Sequence, residues 1–358
     1  MKWKVRIPRS PWTRGGIAIA FLAGVGALLW WHGPHWSDFR DAFTSVDWKW
    51  VAAAVGLNLV SVVARAFAWD TVIHSAMPPP HPRFGLVFSA FSVGLLANAV
   101  LPGRVGELAR VAVLTRRMNG RRQGLWPTLV GTVFAHRVFD LVPVGILVVW
   151  VLSTAKIPNW AFTSLAIVLA IGVGLFLFAF ATARHHGRTR LEGMGTVRRV
   201  VTMARHGLGV MRRFRPAVLA VSGQCAGWTC QLFAVYTAML AFHIHESLPA
   251  AGLVLLLMNV ATIVPLWPGN VGLVQAAIAL PLVQYGVDYG TGFAFGLGLQ
   301  AIEASVGVGV GLIFLGREGL SFARLREMPG AVEAQVPGDG RAPEEPPERE
   351  PARARVPG

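Results

Sequence analysis

Seven ionisable residues lie within or beside apolar segments of this chain: Arg65, Arg104, Glu107, Arg110, Arg137, Asp140 and Glu303. An unpaired Arg or Asp at the centre of a membrane helix costs about 2.5–3.5 kcal/mol on insertion scales. Each must therefore pair or face a polar cavity. Arg104, Glu107 and Arg110 recur at i, i+3, i+6 and share one helical face. That face nets one positive charge and follows a helix break, where unsatisfied N–H groups add positive potential. Two readings stand: internal charge pairing, or a cradle for a phosphate headgroup. Arg137 and Asp140 are also three apart, just after His136. They can neutralise each other, or Asp140 can hold Arg104 or Arg110 and leave Arg137 to a lipid phosphate. Glu303 sits in the Gly-rich segment FGLGLQAIEASVGVGVGL, three residues after Gln300. It is a candidate proton carrier, or the partner of an Arg across a cavity. Asn98, Asn259, Asn270 and Gln275 offer neutral polar lining, or plain helix–helix hydrogen bonds.

Other chemistry has little support. The sequence contains no Walker loop, nucleophile elbow, His-Glu-x-x-His or paired metal carboxylates. No catalytic residue, metal or cofactor is expected. The run His243-Ile244-His245-Glu246 looks metal-like but has no further ligand close in sequence. Cys225 and Cys230, five apart, do not stack on one helical face and read as packing residues.

The elements that position these residues are membrane helices. Only 14% of the 358 residues are charged and the mean hydropathy is +0.52. A soluble chain carries about 25% charged residues. Soluble enzymes, disulfide scaffolds and DNA-binding domains are thereby disfavoured. The fold expected is an all-α polytopic membrane protein. About six full spans fall near 15–31, 50–69, 128–152, 161–183, 216–242 and 292–315. Residues 1–14 form a basic cytoplasmic N-terminus, 15–320 the membrane domain and 321–358 a polar, disordered cytoplasmic tail.

Two further apolar stretches, 85–115 and 250–287, are each interrupted by a Pro-Gly pair. The placement of the basic residues decides how the first is threaded. Were 85–101 to cross once, Arg104, Arg110, Arg116, Arg117, Arg121 and Arg122 would lie outside, as would nine Arg within 184–215. If 85–115 instead enters and leaves on one side, every Arg-rich loop becomes cytoplasmic, as the positive-inside rule requires. The outer loops are then 32–49, 153–160 and 243–249. The second stretch can be re-entrant or can cross twice.

The two broken stretches match each other. Pro102, Gly103, Val105 and Gly106 correspond to Pro268, Gly269, Val271 and Gly272, and Leu114 to Leu280, all 166 residues apart. The threading places the two units in opposite orientations. Broken helices at corresponding positions of inverted halves mark a transporter's substrate site. Simple proline kinks are the plainer reading.

Asn98-x3-Pro102-Gly103-Arg104-x-Gly106-Glu107-x2-Arg110 resembles the N-x-x-x-P-x-R-x-G-E-x-x-R signature of a flippase-like family. That family includes the membrane domain of lysylphosphatidylglycerol synthase/flippase proteins. His136-Arg137-Val138-Phe139-Asp140 resembles its E-R-x-x-D element, with His136 where Glu is usual. Pro265-x2-Pro268-Gly269-Asn270-x-Gly272 resembles its P-x-x-P-G-x-x-G element. The resemblance covers roughly residues 15–320 and implies movement of a lipid with a polar or glycosylated head between leaflets. Its aminoacyl-transferring members carry a large soluble domain after the membrane part. About 40 mostly polar residues follow here, so aminoacylation by this chain is not expected.

The expectation is a lipid flippase of the bacterial inner membrane with both termini cytoplasmic. Arg104, Glu107, Arg110, Arg137 and Asp140 would line a headgroup cavity, with Asn98, Asn270, Gln275 and Glu303 as further contacts. Pro102, Gly103, Gly106, Pro268, Gly269 and Gly272 would form the hairpin turns. The expected partners are membrane lipids with an anionic head and a lipid-synthesis enzyme, not nucleic acid. The alternatives are a membrane-embedded transferase on lipid-linked sugar or phospholipid, and a non-transporting subunit of such an enzyme.

Overall fold

The computed structural model describes residues 36–100, 105–118, 125–184, 213–263 and 270–317. Among them every regular element is a helix. In chain order these are α1 (Trp36–Thr44), α2 (Trp48–Ala76), α3 (Phe84–Val100), α4 (Gly106–Arg117), α5 (Leu125–Thr154), α6 (Asn159–Arg184), α7 (Phe214–Ala241), α8 (Leu248–Ala261), α9 (Leu273–Leu282) and α10 (Tyr289–Arg317). A 3-10 turn, Val283–Tyr285, extends α9.

Five helices are long and apolar enough to cross a membrane: α2, α5, α6 over Asn159–Ala179, α7 and α10. They correspond to five of the six expected spans; 15–31 lies outside the described residues. The helices outrun the expected limits. In α2 the polar turn after Trp69 stays helical because its hydroxyls bond back to their own helix, Thr71 Oγ1 to the Phe67 carbonyl and Ser75 Oγ to that of Thr71. The helix α1 was expected to be loop. Its nine residues carry Asp38, Arg40 and Asp41, a polar pattern that hides the packed side. Ala42 is buried in the core and the Phe43 ring meets Phe242 edge-on at 5.6 Å.

Loops gather at two ends. At one, the Asp47 N–H donates to the Ala241 carbonyl (3.0 Å), His243 Nε2 to the Ser45 carbonyl (2.7 Å) and the Lys156 N–H to the Tyr285 hydroxyl (2.8 Å). At the other, Met77, Leu114 and Leu125 share one cluster, and Phe88 meets Phe314 edge-on at 5.3 Å. Arg83, Arg116, Arg117, Arg213, Arg215 and Arg317 flank the helix ends there.

The helices α3 and α4 are short, about 25 and 18 Å at 1.5 Å per residue. They fold back on one another. Gly94 and Gly106 face each other so closely that a Cβ on either would clash with the other's carbonyl oxygen. The Gly106 N–H donates to Asn98 Oδ1 at 2.8 Å. The pair α8 and α9 folds back likewise, and Asn270 Nδ2 donates to the Ala261 carbonyl at 2.8 Å. Of the expected turn residues, Pro102, Gly103, Pro268 and Gly269 lie outside the described residues. Gly106 begins α4. Gly272, at φ 91°, caps α9 in a conformation that favours glycine.

The 166-residue offset reaches beyond the turns. Helices α7, α8, α9 and α10 start 166, 164, 167 and 164 residues after α2, α3, α4 and α5, as Trp48/Phe214, Phe84/Leu248, Gly106/Leu273 and Leu125/Tyr289 show. The pair α2 and α7 packs antiparallel. Asp47 meets Ala241, Ser61 Oγ donates to the Gly227 carbonyl at 2.8 Å, and Gly223 fits against Ala64 and Ala68. Where they cross, residues 166 apart touch each other: Ser61 with Gly227, and Arg65 with Gln231.

Candidate functional site

A cavity of about 180 Å³ opens between the first hairpin and helices α2, α5, α7 and α10. Helix α2 contributes Asn58, Ser61 and Arg65 to its wall. The hairpin contributes Asn98, Glu107 and Arg110, while α5 adds His136, Arg137 and Asp140. Gln231 comes from α7 and Glu303 from α10. The polar residues of α2 and α5 fall at spacings of three and four, so each helix turns one polar strip inward from an apolar exterior. Arg65 lies about 16 Å from the Arg-rich end of α2, and Arg137 about 18 Å from that end of α5. The cavity therefore lies well inside helices that are about 45 Å long, somewhat nearer their Arg-rich ends.

Arg137 links two carboxylates. It forms an ion pair with Glu107 and a longer one with Asp140 (3.4 Å). Asp140 Oδ1 also accepts from Trp228 Nε1 at 2.6 Å. Arg65 Nη2 donates to Gln231 Oε1 (2.6 Å), whose Nε2 donates to Glu303 Oε1 (3.0 Å). The Arg65 guanidinium lies over the Trp228 ring at 4.9 Å. Arg110 is different. Only 4% exposed, it lies over the rings of Trp69 (4.7 Å) and Phe91 (5.5 Å). Its Nε and Nη2 are buried without a hydrogen-bond partner among the described residues. Ring faces attract a desolvated cation by about 2 kcal/mol but take up few of the guanidinium's five N–H donors.

His136 stands where the resembling motif has Glu. Its Nε2 is 3.2 Å from the Arg65 carbonyl and 3.1 Å from the Gln224 amide, so it ties α5 to α2 and α7. Three guanidinium groups, those of Arg65, Arg110 and Arg137, share the cavity with three carboxylates, those of Glu107, Asp140 and Glu303.

The structure brings together six of the expected site residues: Asn98, Glu107, Arg110, Arg137, Asp140 and Glu303. Arg104 lies outside the described residues. Asn270 and Gln275 sit apart, in the second hairpin. There Gln275 Oε1 accepts from the Gly272 N–H (2.6 Å) and its Nε2 donates to Gln300 Oε1 (2.6 Å). These amides satisfy the broken backbone of their own hairpin. Asn58, Ser61 and Gln231 line the cavity and were missed, because uncharged polar residues in membrane helices carry little signal. The offset was the available clue. It pairs Arg65 with Gln231, Arg137 with Glu303 and Asp140 with Val306, and all six residues line this one cavity. A search for identities passes over such unlike pairs.

No curated protein and no solved structure matches the chain. The family model described as "Lysylphosphatidylglycerol synthase TM region" matches residues 16–311. That range contains every described residue of the cavity wall. It also contains all three motifs whose side chains or turns were read from the sequence. With a match over most of its length, the chain belongs to the lysylphosphatidylglycerol synthase membrane-region family.

Proposed function

We propose that this chain moves a lipid with a phosphate-bearing head between the leaflets of the bacterial cytoplasmic membrane, without chemistry of its own. The observation that carries this reading is Arg110. A buried guanidinium with unpartnered N–H groups is costly, and it is retained where an anion can complete it. A phosphate oxygen offers charge and several acceptor sites at once. Arg65 and Arg137 line the same cavity, but its three carboxylates balance the three guanidinium charges, so it is the unpartnered donors of Arg110 rather than net charge that favour an anion.

The matched helix starts and the antiparallel crossing of α2 and α7 support an inverted repeat whose two-fold axis passes near Ser61 and Gly227. Pairs 166 apart lining one cavity support a substrate site on that axis. Rocking of one half against the other would then expose the site to each leaflet in turn. The short paired helices support two re-entrant hairpins, and the positive-inside rule assigns the Arg-rich ends to the cytoplasm. The head crosses through the cavity and the chains remain in the bilayer.

The test is reconstitution into vesicles holding a fluorescent phosphatidylglycerol, with quenching from outside as the readout. Wild type should exchange the lipid at least tenfold faster than protein-free vesicles. Arg110→Gln should fall to background while eluting as a folded protein. Undiminished exchange by Arg110→Gln would overturn the proposal. Mass spectrometry of lipids that co-purify with the two proteins would identify the head.

A further inference from the structure

A second hollow, about 330 Å³, lies on the outer side of α4 and α5. Leu108 and Val111 of α4 and Val130, Val133 and Phe134 of α5 line it. Leu108 and Phe134 are 37% and 41% exposed, so this side faces away from the helix packing. The groove runs about 10 Å along α5, from Val130 to Arg137. Its remaining two lining residues are Glu107 and Arg137, which also line the charged cavity. The ion pair between them is therefore the partition between an apolar groove and the charged cavity.

That partition is badly placed for a merely structural bridge. The Arg137 side chain is 50% exposed and that of Glu107 23%, and the two residues share that exposure between the charged cavity and the apolar groove. Exposed charge at membrane depth is costly. It is also replaceable. If Glu107 moves away, Arg137 keeps Asp140, already 3.4 Å from it.

We propose that the groove is the hydrocarbon-chain subsite of the cavity and that the Glu107–Arg137 pair is its lateral gate. A lipid would enter between α4 and α5, its phosphate passing the pair to reach Arg110. One chain would stay along Leu108, Val111, Val130, Val133 and Phe134. This rests on the lipid-carrying reading above and adds the entry side and the chain contacts. The occupant follows from continuity: the groove is apolar, opens away from the helix packing, and ends on the residues that wall the anion cavity.

The test uses the full chain in nanodiscs containing a phosphatidylglycerol with a diazirine in mid-chain. After irradiation, labelled peptides are located by mass spectrometry, and glycerol phosphate binding is measured separately by calorimetry. The expected label falls on 107–117 and 130–137. It should drop at least fivefold in Val133→Trp, which fills the groove, and in Arg110→Gln, which removes the head contact. Glycerol phosphate binding should stay within twofold of wild type in Val133→Trp and be lost in Arg110→Gln. Val133 is only 8% exposed; should Val133→Trp fail to fold, Leu108→Trp fills the groove from an exposed position. Label that persists in Arg110→Gln would mean ordinary surrounding lipid and overturn the chain subsite. A wild type that binds glycerol phosphate but takes no label in the groove would be a soluble-anion site, also overturning it. A wild type that takes up no glycerol phosphate would instead count against the headgroup reading itself.

Discussion

Arg110 separates stability from function. Its guanidinium is buried and its Nε and Nη2 lack hydrogen-bond partners among the described residues, so it brings unsatisfied donors to the folded state. Replacing a whole buried ion pair with apolar groups of similar size is often neutral or stabilising, by about 1–4 kcal/mol, and among the described residues Arg110 has no carboxylate within ion-pair distance that its removal would strand. Arg110→Met should therefore melt at or above the wild-type temperature in detergent while losing lipid exchange. A fall of several degrees would instead make Arg110 a prop for Trp69 and Phe91. Trp228→Phe should behave oppositely. It removes the donor to Asp140 Oδ1 (2.6 Å) and leaves a buried acceptor short of one bond, a loss of about 1–3 kcal/mol. Thermal melting would show it, and an unchanged midpoint would mean that Asp140 finds another donor. The charged members of this site were legible because charge is rare in apolar segments. Their pairing was legible in part. The sequence offered Arg137, Arg104 or Arg110 as the partner of Asp140; in the fold it takes Arg137, three residues away, and also Trp228, 88 residues away, which spacing could not show.

At the scale of elements, two glycines make different demands. A Cβ on Gly106 would run into the Gly94 carbonyl and the Asn98 side chain, so the two helices of the first hairpin must part to admit it. Overpacking of that kind costs about 1–3 kcal/mol. Gly106→Ala should lower the melting temperature and weaken exchange together. A Cβ on Gly227 would meet Arg65 Cγ at 2.7 Å, the stem of a long side chain that can move. Gly227→Ala also gains helix propensity, about 1 kcal/mol. It should leave melting nearly unchanged and reduce exchange, because Arg65 is displaced from Gln231. Equal melting losses in the two variants would show that backbone spacing, not Arg65, is what Gly227 protects. Long apolar runs made α2, α5, α6, α7 and α10 legible from composition alone. The short α1 was not, since what holds it is contact with distant residues such as Phe242.

Across the whole molecule, the disposition of loops follows from one claim: the chain returns to its starting side after the first hairpin. That claim was reached by counting arginines, and the helix lengths agree, since neither α3 nor α4 alone reaches the ~30 Å of a hydrocarbon core. It has a direct consequence for single cysteines placed in a chain whose Cys225 and Cys230 have been replaced by Ala. Arg83→Cys precedes α3 and Arg117→Cys ends α4, while Ser247→Cys lies in the loop between α7 and α8. With a membrane-impermeant thiol reagent, Arg83→Cys and Arg117→Cys should label from the same face, the cytoplasmic one, and Ser247→Cys from the other. Arg83→Cys and Arg117→Cys labelling from opposite faces would mean that α3 and α4 together complete one crossing. Every later helix would then invert, the Arg-rich loops would face outward against the charge rule, and the two halves would run parallel. The antiparallel crossing of α2 and α7 argues against that arrangement, because helices in matching positions of parallel halves point the same way. The cysteine result therefore tests the symmetry and the topology together.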